Sequence, residues 1–351
     1  MEKWLYHPNF LRKIYDKNDF FPHKSDYTPP EINKKSFFWY HDDTHNPNTL
    51  TAHCTLFWYE DNPKAMLGDF EAHDEESGCQ VIENAIEYAK SAKISQIIGP
   101  MNGSRLNKYR LFTGNDQDRS KLTFLELFTP LYYQNVFSNT GFKLEETYYS
   151  FLNPDTSQSI NYSKPFFEKS VKEGFRFRYA REFSYKKFFE IMVQIVSKTF
   201  SLEFTKEKFD DAAIKTANAG LKHVYNKDAT VILFNDVGQP IGLLLVILDW
   251  SKEFHNFRNR MSNLVFLIKS KFGIIKPKPT GLLKTLAIIP KYQNLNLSWG
   301  LVYSAEVALR ASKITNLYYL LMNDKFKSFR MASKFGPWEK SFGLYKLHIK
   351  H

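Results

Sequence analysis

The stretch from Leu283 to Ser312 constrains this chain more than any other. An apolar run, Leu283–Ile289, is stopped by Pro290. An apolar run of that length ended by a proline reads as a strand. A short polar loop follows, and a helix begins at about Leu297 and runs over Ser298–Ser312. Strand, loop and helix in that order require a sheet with a helix packed on it. The first amides of a helix lack intrahelical partners, and that end of the helix dipole is positive. Gln293, Asn294, Leu295, Asn296, Leu297 and Ser298 therefore make a cradle suited to an anion such as a pyrophosphate. On geometry alone, a plain structural turn explains the same residues equally well.

The same alternation runs through both halves of the chain. Met1–Ser36 reads as irregular, with Tyr27-Thr28-Pro29-Pro30 as a non-helical marker. Phe37–Tyr40, His53–Tyr59 and Ala65–His73 read as strands. Asp74-Glu75-Glu76 opens a helix in which Ile82, Ala85, Ile86 and Ala89 share one face. Strands are expected at Ser95–Gly99, Leu122–Leu127 and Glu145–Leu152, with a short helix near Tyr132–Thr140. Asn153–Lys164 is polar, rich in turn residues and poor in anything to bury, which marks a linker. The second half gives a strand at Phe175–Ala180, a helix at Tyr185–Thr199 and a hairpin of Thr230–Phe234 with Ile241–Leu248. A strand at Leu317–Met322, a helix at Lys325–Phe335 and a final strand at Gly343–Ile349 complete it. The expected organisation is an irregular segment over 1–36, a domain over 37–153, a linker over 154–168 and a domain over 169–351. The fold class is mixed α/β. Two domains follow in tandem, each a twisted mixed sheet, mostly antiparallel, flanked by helices.

Composition narrows the class of partner. Lys and Arg number 48 against 37 Asp and Glu, a formal net charge of +11, which suits an anionic partner. Aromatic residues make up 17% of the chain, in keeping with half-buried strands. Two cysteines exclude a disulfide-dense scaffold and are too few for a paired-cysteine zinc site. The histidines are dispersed, and His41, Asp42, Asp43 and His45 lack a repeated ligand spacing, so no metal is expected. The longest apolar stretch, Ile241–Leu248, falls far short of the ~20 residues that cross a bilayer. The opening residues carry scattered charges and no apolar export core, so a cytoplasmic location without a membrane partner is expected. The basic stretch from Lys269 through Lys276, Lys278 and Lys284 reads either as a solvated loop or as an attractor of phosphates.

Leu286–Gly300 resembles the coenzyme A pyrophosphate loop of the GCN5-related N-acetyltransferases, whose pattern is strand–Pro–x–x–Gln/Arg–x–x–Gly–x–Gly/Ala–helix. Leu320-Leu321-Met322-Asn323, Phe329–Gly336 and Phe342–Lys346 continue the resemblance, which covers about Phe175 to the C-terminus. It implies that Ile288, Ile289, Gln293, Asn294, Leu295, Asn296, Leu297, Ser298 and Asn323 contact an acyl-CoA, acetyl-CoA or another, as substrate. An amide near Ile288 is then placed to polarise the thioester. The sequence departs from the family pattern at Asn296 and Ser298, where glycines are usual, and at Ala332, where a tyrosine often serves as general acid. Tyr345 and Tyr319 are the candidate replacements for that tyrosine, and Glu126 is the candidate base.

The first half resembles the N-terminal half of tandem proteins of this family. Leu67–Glu71, Gly99–Ser104 with Tyr109-Arg110, Phe124–Glu126, Thr129–Tyr133 and Gly141-Phe142 carry the likeness. It lacks the pyrophosphate loop: Asp74-Glu75-Glu76 stand there and would repel phosphate. Asn102, Tyr109, Arg110 and Tyr132 are the expected acceptor-binding residues, with Ser104, Glu126 and Tyr133 beside them. The alternative for this cluster is structural. Pro100 and Pro130 then fix turns, the tyrosines pack, and Arg110 pairs with Glu126.

The function implied is acyl-CoA-dependent transfer to the nitrogen of a small-molecule or peptide amine held between the domains. Two alternatives stand beside it. One is a catalytically inactive module that senses acyl-CoA or binds a protein. The other is a Fem-type aminoacyl-tRNA-dependent transferase, the one reading in which a nucleic acid is a partner.

Overall fold

The computed structural model describes residues 31–40, 50–107, 110–115, 122–123, 125–126, 129–199, 214–215, 218, 221–250, 268–269, 274–314 and 316–350. The chain divides into two compact units. The first comprises residues 1–148, 202–207 and 340–351. The second comprises 149–201 and 208–339.

In the first unit, β1 (Asn33–Tyr40), β2 (Leu50–Trp58) and β3 (Lys64–Ala72) form an antiparallel meander. Helix α1 (Glu75–Ser91) then crosses over to β4 (Gln96–Gly99), which runs parallel to β3. Helix α1 forms where the apolar spacing predicts it. Asp74 is its N-cap and accepts from the Ser77 amide at 2.8 Å, while Glu75 and Glu76 complement the dipole. Its buried face carries Val81, Ile82, Ala85 and Ala89, packed with Leu56, Leu67, Ile97 and Phe137. The short β5 (Leu111–Phe112), helix α2 (Tyr132–Asn139) and the first residues of β6 (Lys143–Asn153) complete the chain's first pass through this unit. Leu122, Thr123, Leu125 and Glu126 lie in a turn, not in the expected strand. The Thr123 amide donates to the Glu126 carboxylate at 2.9 Å, and the Glu126 amide to the Thr123 carbonyl at 3.0 Å. These bonds take polar groups that a strand would have offered to a neighbour.

The second unit opens with the end of β6 and with helix α3 (Thr156–Lys172), which occupies the segment expected to be a linker. Asp155 caps it, accepting from the Ser157 amide at 2.9 Å. The buried positions of α3 are Thr156, Ser159, Ser163 and Ser170, so its inner face carries hydroxyls and shows no apolar period. Ser163 and Ser170 turn their hydroxyls onto the carbonyls of Ser159 and Phe166, at 2.6 and 2.8 Å. That satisfies the polar atoms internally and lets a hydroxyl face be buried.

Then follow β7 (Arg176–Tyr179), α4 (Tyr185–Thr199), the hairpin of β8 (Val231–Phe234) and β9 (Pro240–Leu248), β10 (Thr280–Ile288), α5 (Leu297–Ala311), β11 (Asn316–Asn323) and α6 (Lys327–Ala332). The sheet order is β11-β10-β9-β8-β7, in which only β10 and β11 are parallel. Val231, Leu233, Leu244, Val246, Leu301, Val302 and Ala305 form the centre of its core.

The last strand, β12 (Trp338–His348), reads correctly from the sequence as a strand, but its Lys340–His348 part belongs to the first unit. There Tyr345 pairs with Gly99 and Phe342 with Phe112. Alternation identifies a strand without naming its neighbour, so the partner was not legible. Both units contain a mixed, mostly antiparallel sheet flanked by helices, and β2-β3-α1-β4 repeats as β9-β10-α5-β11.

Candidate functional site

The distinctive geometry lies in the second unit, where β10 and β11 part. They pair at Thr280 with Asn316, Gly281 with Leu317, Leu282 with Tyr318 and Leu283 with Tyr319. Beyond those four rungs no pairing joins Thr285–Ile288 to Leu320–Asn323. The fork begins at a bulge. Leu283 faces Val246 and Thr285 faces Leu245, so Lys284 is an extra residue on β10. Leu321, on the other prong, holds a left-handed backbone with φ 54°. Its amide donates to the side-chain hydroxyl of Ser150 on β6 at 3.2 Å.

The segment expected to cradle an anion follows β10. Pro290–Leu295 forms a 3-10 turn, and Asn296 takes φ 58°, ψ 18° immediately before α5. That left-handed conformation explains the departure from the family pattern. Where glycine is usual, asparagine is the side-chain-bearing residue that tolerates it best. Asn296 makes no side-chain cap on the helix amides. Gln293 turns back, donating from Nε2 to the Ile288 carbonyl at 2.9 Å. Lys327, a cation not singled out by the sequence pattern, donates to Asn294 Oδ1 at 2.9 Å. Gln293, Asn294, Leu295 and Asn296 are exposed, Ser298 is half-buried, and Leu297 is buried as an anchor.

Some groups of the expected cofactor set are committed elsewhere. The Ile289 amide donates to the Ile241 carbonyl at 2.9 Å, and the Ile289 carbonyl accepts from the Tyr292 amide at 2.9 Å. Asn323 is buried and accepts the Lys325 amide at 2.9 Å, forming the turn after β11. Of the basic stretch, Lys278 pairs with buried Asp249 at 3.4 Å, and Lys284 reaches Asn218 Oδ1 at 3.5 Å.

The expected catalytic side chains belong to different units. Tyr319 stands at the root of the fork, but only 1% exposed, with its hydroxyl donating to Glu306 Oε1 at 2.6 Å. Burial and the adjacent Glu306 push its phenol well above the ordinary range. Tyr345 belongs to the first unit, buried against Phe137 at 5.6 Å between ring centroids. Glu126 is also in the first unit, in a wholly buried ion pair with Lys340 at 2.6 Å. Its partner is Lys340, not Arg110, whose guanidinium lies 3.7 Å from the Tyr148 ring centroid. Ala332, where the resemblance leads one to expect a tyrosine, is fully buried.

The corresponding fork of the first unit is filled by its own chain. β3 and β4 pair from Lys64/Gln96 to Met66/Ile98 and then part. Into the gap runs Pro100–Asn107. The Met101 amide donates to the Leu67 carbonyl at 2.7 Å, and the Asp69 amide to Asn102 Oδ1 at 2.9 Å. Asn102 is therefore a bracket across the fork. Tyr132 and Tyr133 both reach the Ala72 carbonyl, at 2.6 and 3.4 Å, and burial pushes the Tyr132 phenol up to about 12. Asp74 caps Ser77, and Glu75 accepts from Asn135 and Asn139. Tyr109, with His41, Asp42, Asp43 and His45, lies outside the described residues.

Among the described residues, no group of three or more His, Cys, Asp or Glu is placed to hold a metal, and no helix is long and apolar enough to cross a membrane.

No family model matches the chain, and no curated protein matches it. Similar solved structures exist at low identity. One is a GCN5-related glucosamine N-acetyltransferase region of a fungal multi-domain GH3 β-N-acetylglucosaminidase, at 11% identity and TM-score 0.49. The match covers 86% of this chain and 32% of that one, so the chain spans about a third of it. A second is a tandem GNAT protein from the clavulanic acid biosynthesis pathway, at 9% identity and TM-score 0.47, covering 97% and 92%. A third is an Enterococcus faecalis conserved protein described as a probable N-acyltransferase, at 6% identity and TM-score 0.48, covering 90% and 72%. On its own topology, the chain is a mixed α/β protein whose two units each hold a mostly antiparallel sheet flanked by helices. A parallel pair that parts beside a helix N-terminus, within an otherwise antiparallel sheet, appears in the second unit.

Proposed function

We propose that the second unit binds an acyl-CoA in the β10/β11 fork and transfers its acyl group to an amine. The observation that carries this reading is the fork itself, opening onto the uncapped start of α5. Strand edges left without a neighbour can hydrogen-bond an extended, amide-containing chain as an added strand would. The pantetheine arm is such a chain. The exposed residues Gln293–Asn296, the amides at Leu297 and Ser298 and the cation of Lys327 would then receive the pyrophosphate. Transfer needs the amine deprotonated and held against the thioester, with amides aimed at the carbonyl oxygen as charge develops. An unpaired amide of β10 before Ile288 is the proposed donor.

The first unit would bind no second CoA. Its own chain occupies the equivalent gap, and carboxylates stand at its helix start.

The decisive test is thermal unfolding of the full chain with acetyl-CoA. A rise in Tm at millimolar ligand is expected, and its absence would overturn the reading. Asn296→Asp places a carboxylate in the cradle and is expected to abolish the shift; an intact shift would put the cofactor elsewhere.

A binding-only reading has its own observation. Glu126 and Tyr319 are both engaged by buried partners, and Ala332 replaces the usual acid. It predicts an acetyl-CoA shift without thiol release across a panel of amines. Release of CoA with any amine would exclude it.

A further inference from the structure

Beneath the fork lies a group that the transfer reading does not use. Glu306 is the only acidic residue of α5 and is 0% exposed. Its Oε1 accepts the Tyr319 hydroxyl at 2.6 Å, and its Oε2 lies 2.7 Å from the Ser159 hydroxyl. Ser159 also receives Asn153 Nδ2 at 3.0 Å and lies 3.1 Å from the Thr156 carbonyl. Asn153, Thr156, Ser159, Glu306 and Tyr319 are all within 1% of full burial.

No cation faces the carboxyl from any packed element among the described residues. Helix α3 presents Ser159, β6 presents Asn153, and β11 presents Tyr319. From β7, Tyr179 donates instead to the Ser304 carbonyl. The residues of β8 and β9 are apolar apart from a glycine and a proline, and Lys284 of β10 is turned to Asn218. Arg310, on α5 itself, reaches Ser157.

The hydrogens can be counted in two ways. Ser159 has one hydroxyl proton and two acceptors within reach. With Glu306 ionised, Ser159 donates to Oε2. With Glu306 protonated, Oε2–H donates to Ser159, and Ser159 donates to the Thr156 carbonyl. Either way the carboxyl keeps its bonds to Tyr319 and Ser159, and only the protonated state adds the Ser159 bond to the Thr156 carbonyl, so the carboxyl can take up a proton without losing a partner. Tyr319 feels the difference, because its bond is charge-assisted in one state and neutral in the other. Its backbone is the last rung before β10 and β11 part.

We propose that Glu306 takes up a proton in the folded protein and, through Tyr319, acts as a pH-sensitive device that sets how firmly the β10/β11 fork is held at its root. Burial, opposed by the Tyr319 and Ser159 hydrogen bonds, raises this carboxyl to about 7. A buried acid raised in this way binds its proton more tightly folded than unfolded. Its contribution to stability is fully present below the unfolded carboxyl's range and is lost as pH rises through about 7. The device goes beyond the acyl-transfer reading and operates without any ligand.

The test uses the full chain without ligand, as wild type, Glu306→Gln and Tyr319→Phe. Glutamine reproduces the protonated pattern, accepting from Tyr319 and donating to Ser159, and it does not titrate. Urea unfolding between pH 5 and 8 should show the wild-type unfolding constant rising relative to Glu306→Gln by up to roughly tenfold per pH unit below 7. Parallel profiles would overturn the proton uptake. Hydrogen exchange of peptides spanning 284–289 and 320–323 should give a wild-type to Glu306→Gln ratio that changes several-fold across pH 6–8. A constant ratio would overturn the coupling to the fork. Should Glu306→Gln not fold, carbon-13-labelled glutamate in the wild type gives the midpoint directly. One carboxyl is expected to titrate near neutrality and to move upward in Tyr319→Phe. Titration of every carboxyl below pH 5.5 would overturn the proposal.

Discussion

Glu126 Oε2 and Lys340 Nζ lie 2.6 Å apart, both side chains wholly buried, although 214 residues separate them in the chain. The pair joins the turn at 123–126 to the start of the Lys340–His348 strand within the first unit. Removing one partner breaks a buried ion pair, which costs about 3–5 kcal/mol. Glu126→Gln and Lys340→Met are therefore each expected to lower the urea midpoint strongly. The double variant should recover much of that loss, because two neutral groups of similar volume restore balance. Additive losses in a double-mutant cycle would contradict this picture.

Gly68 carries the fit of the plug in the first unit's fork. A Cβ added there would lie 2.4 Å from the Met101 carbonyl oxygen and 2.7 Å from Asn102 Oδ1. The Met101 obstacle is backbone and cannot rotate away. Gly68→Ala should cost about 1–3 kcal/mol, with faster proteolysis around Pro100–Asn107. Unchanged stability would mean that the segment does not occupy the fork as described.

Asn296 offers a test of local backbone. Its φ of 58° disfavours β-branched residues, while glycine adopts it freely. Asn296→Gly should be close to neutral, and Asn296→Val should lose about 1–2 kcal/mol. On the proposed function, Asn296→Gly also keeps the acetyl-CoA shift and Asn296→Val reduces it. Equal stabilities for the two variants would remove the left-handed cap.

The two cysteines should differ in reactivity. Cys54 is fully buried, its thiol aimed at the Val81 carbonyl at 3.6 Å, and burial raises it well above an ordinary thiol. Cys79, half-buried near Glu75 and Glu83, is raised by desolvation first and by those carboxylates second. A thiolate-seeking reagent at pH 8 should label Cys79 slowly, faster as pH rises, and Cys54 only on unfolding. Labelling of Cys54 at the Cys79 rate would show that the first unit opens readily.

What the sequence by itself determined is the local grammar. The 74–91 helix with its acidic cap, the β8/β9 hairpin and the strand–turn–helix at Leu283–Ser312 were all legible, because each is written in neighbouring residues. The tertiary structure alone decided the partners. Helix α3 hides behind a buried face of Thr156, Ser159, Ser163 and Ser170, whose hydroxyls are satisfied only by folding. Lys340–His348 pairs in the first unit, which makes Tyr345 a residue of that unit's core. Glu126 finds Lys340, and Tyr319 finds Glu306 on a neighbouring helix. Each of these contacts joins residues distant in sequence. Periodicity reports which face of an element is buried, whereas the groups that meet it there are set by topology.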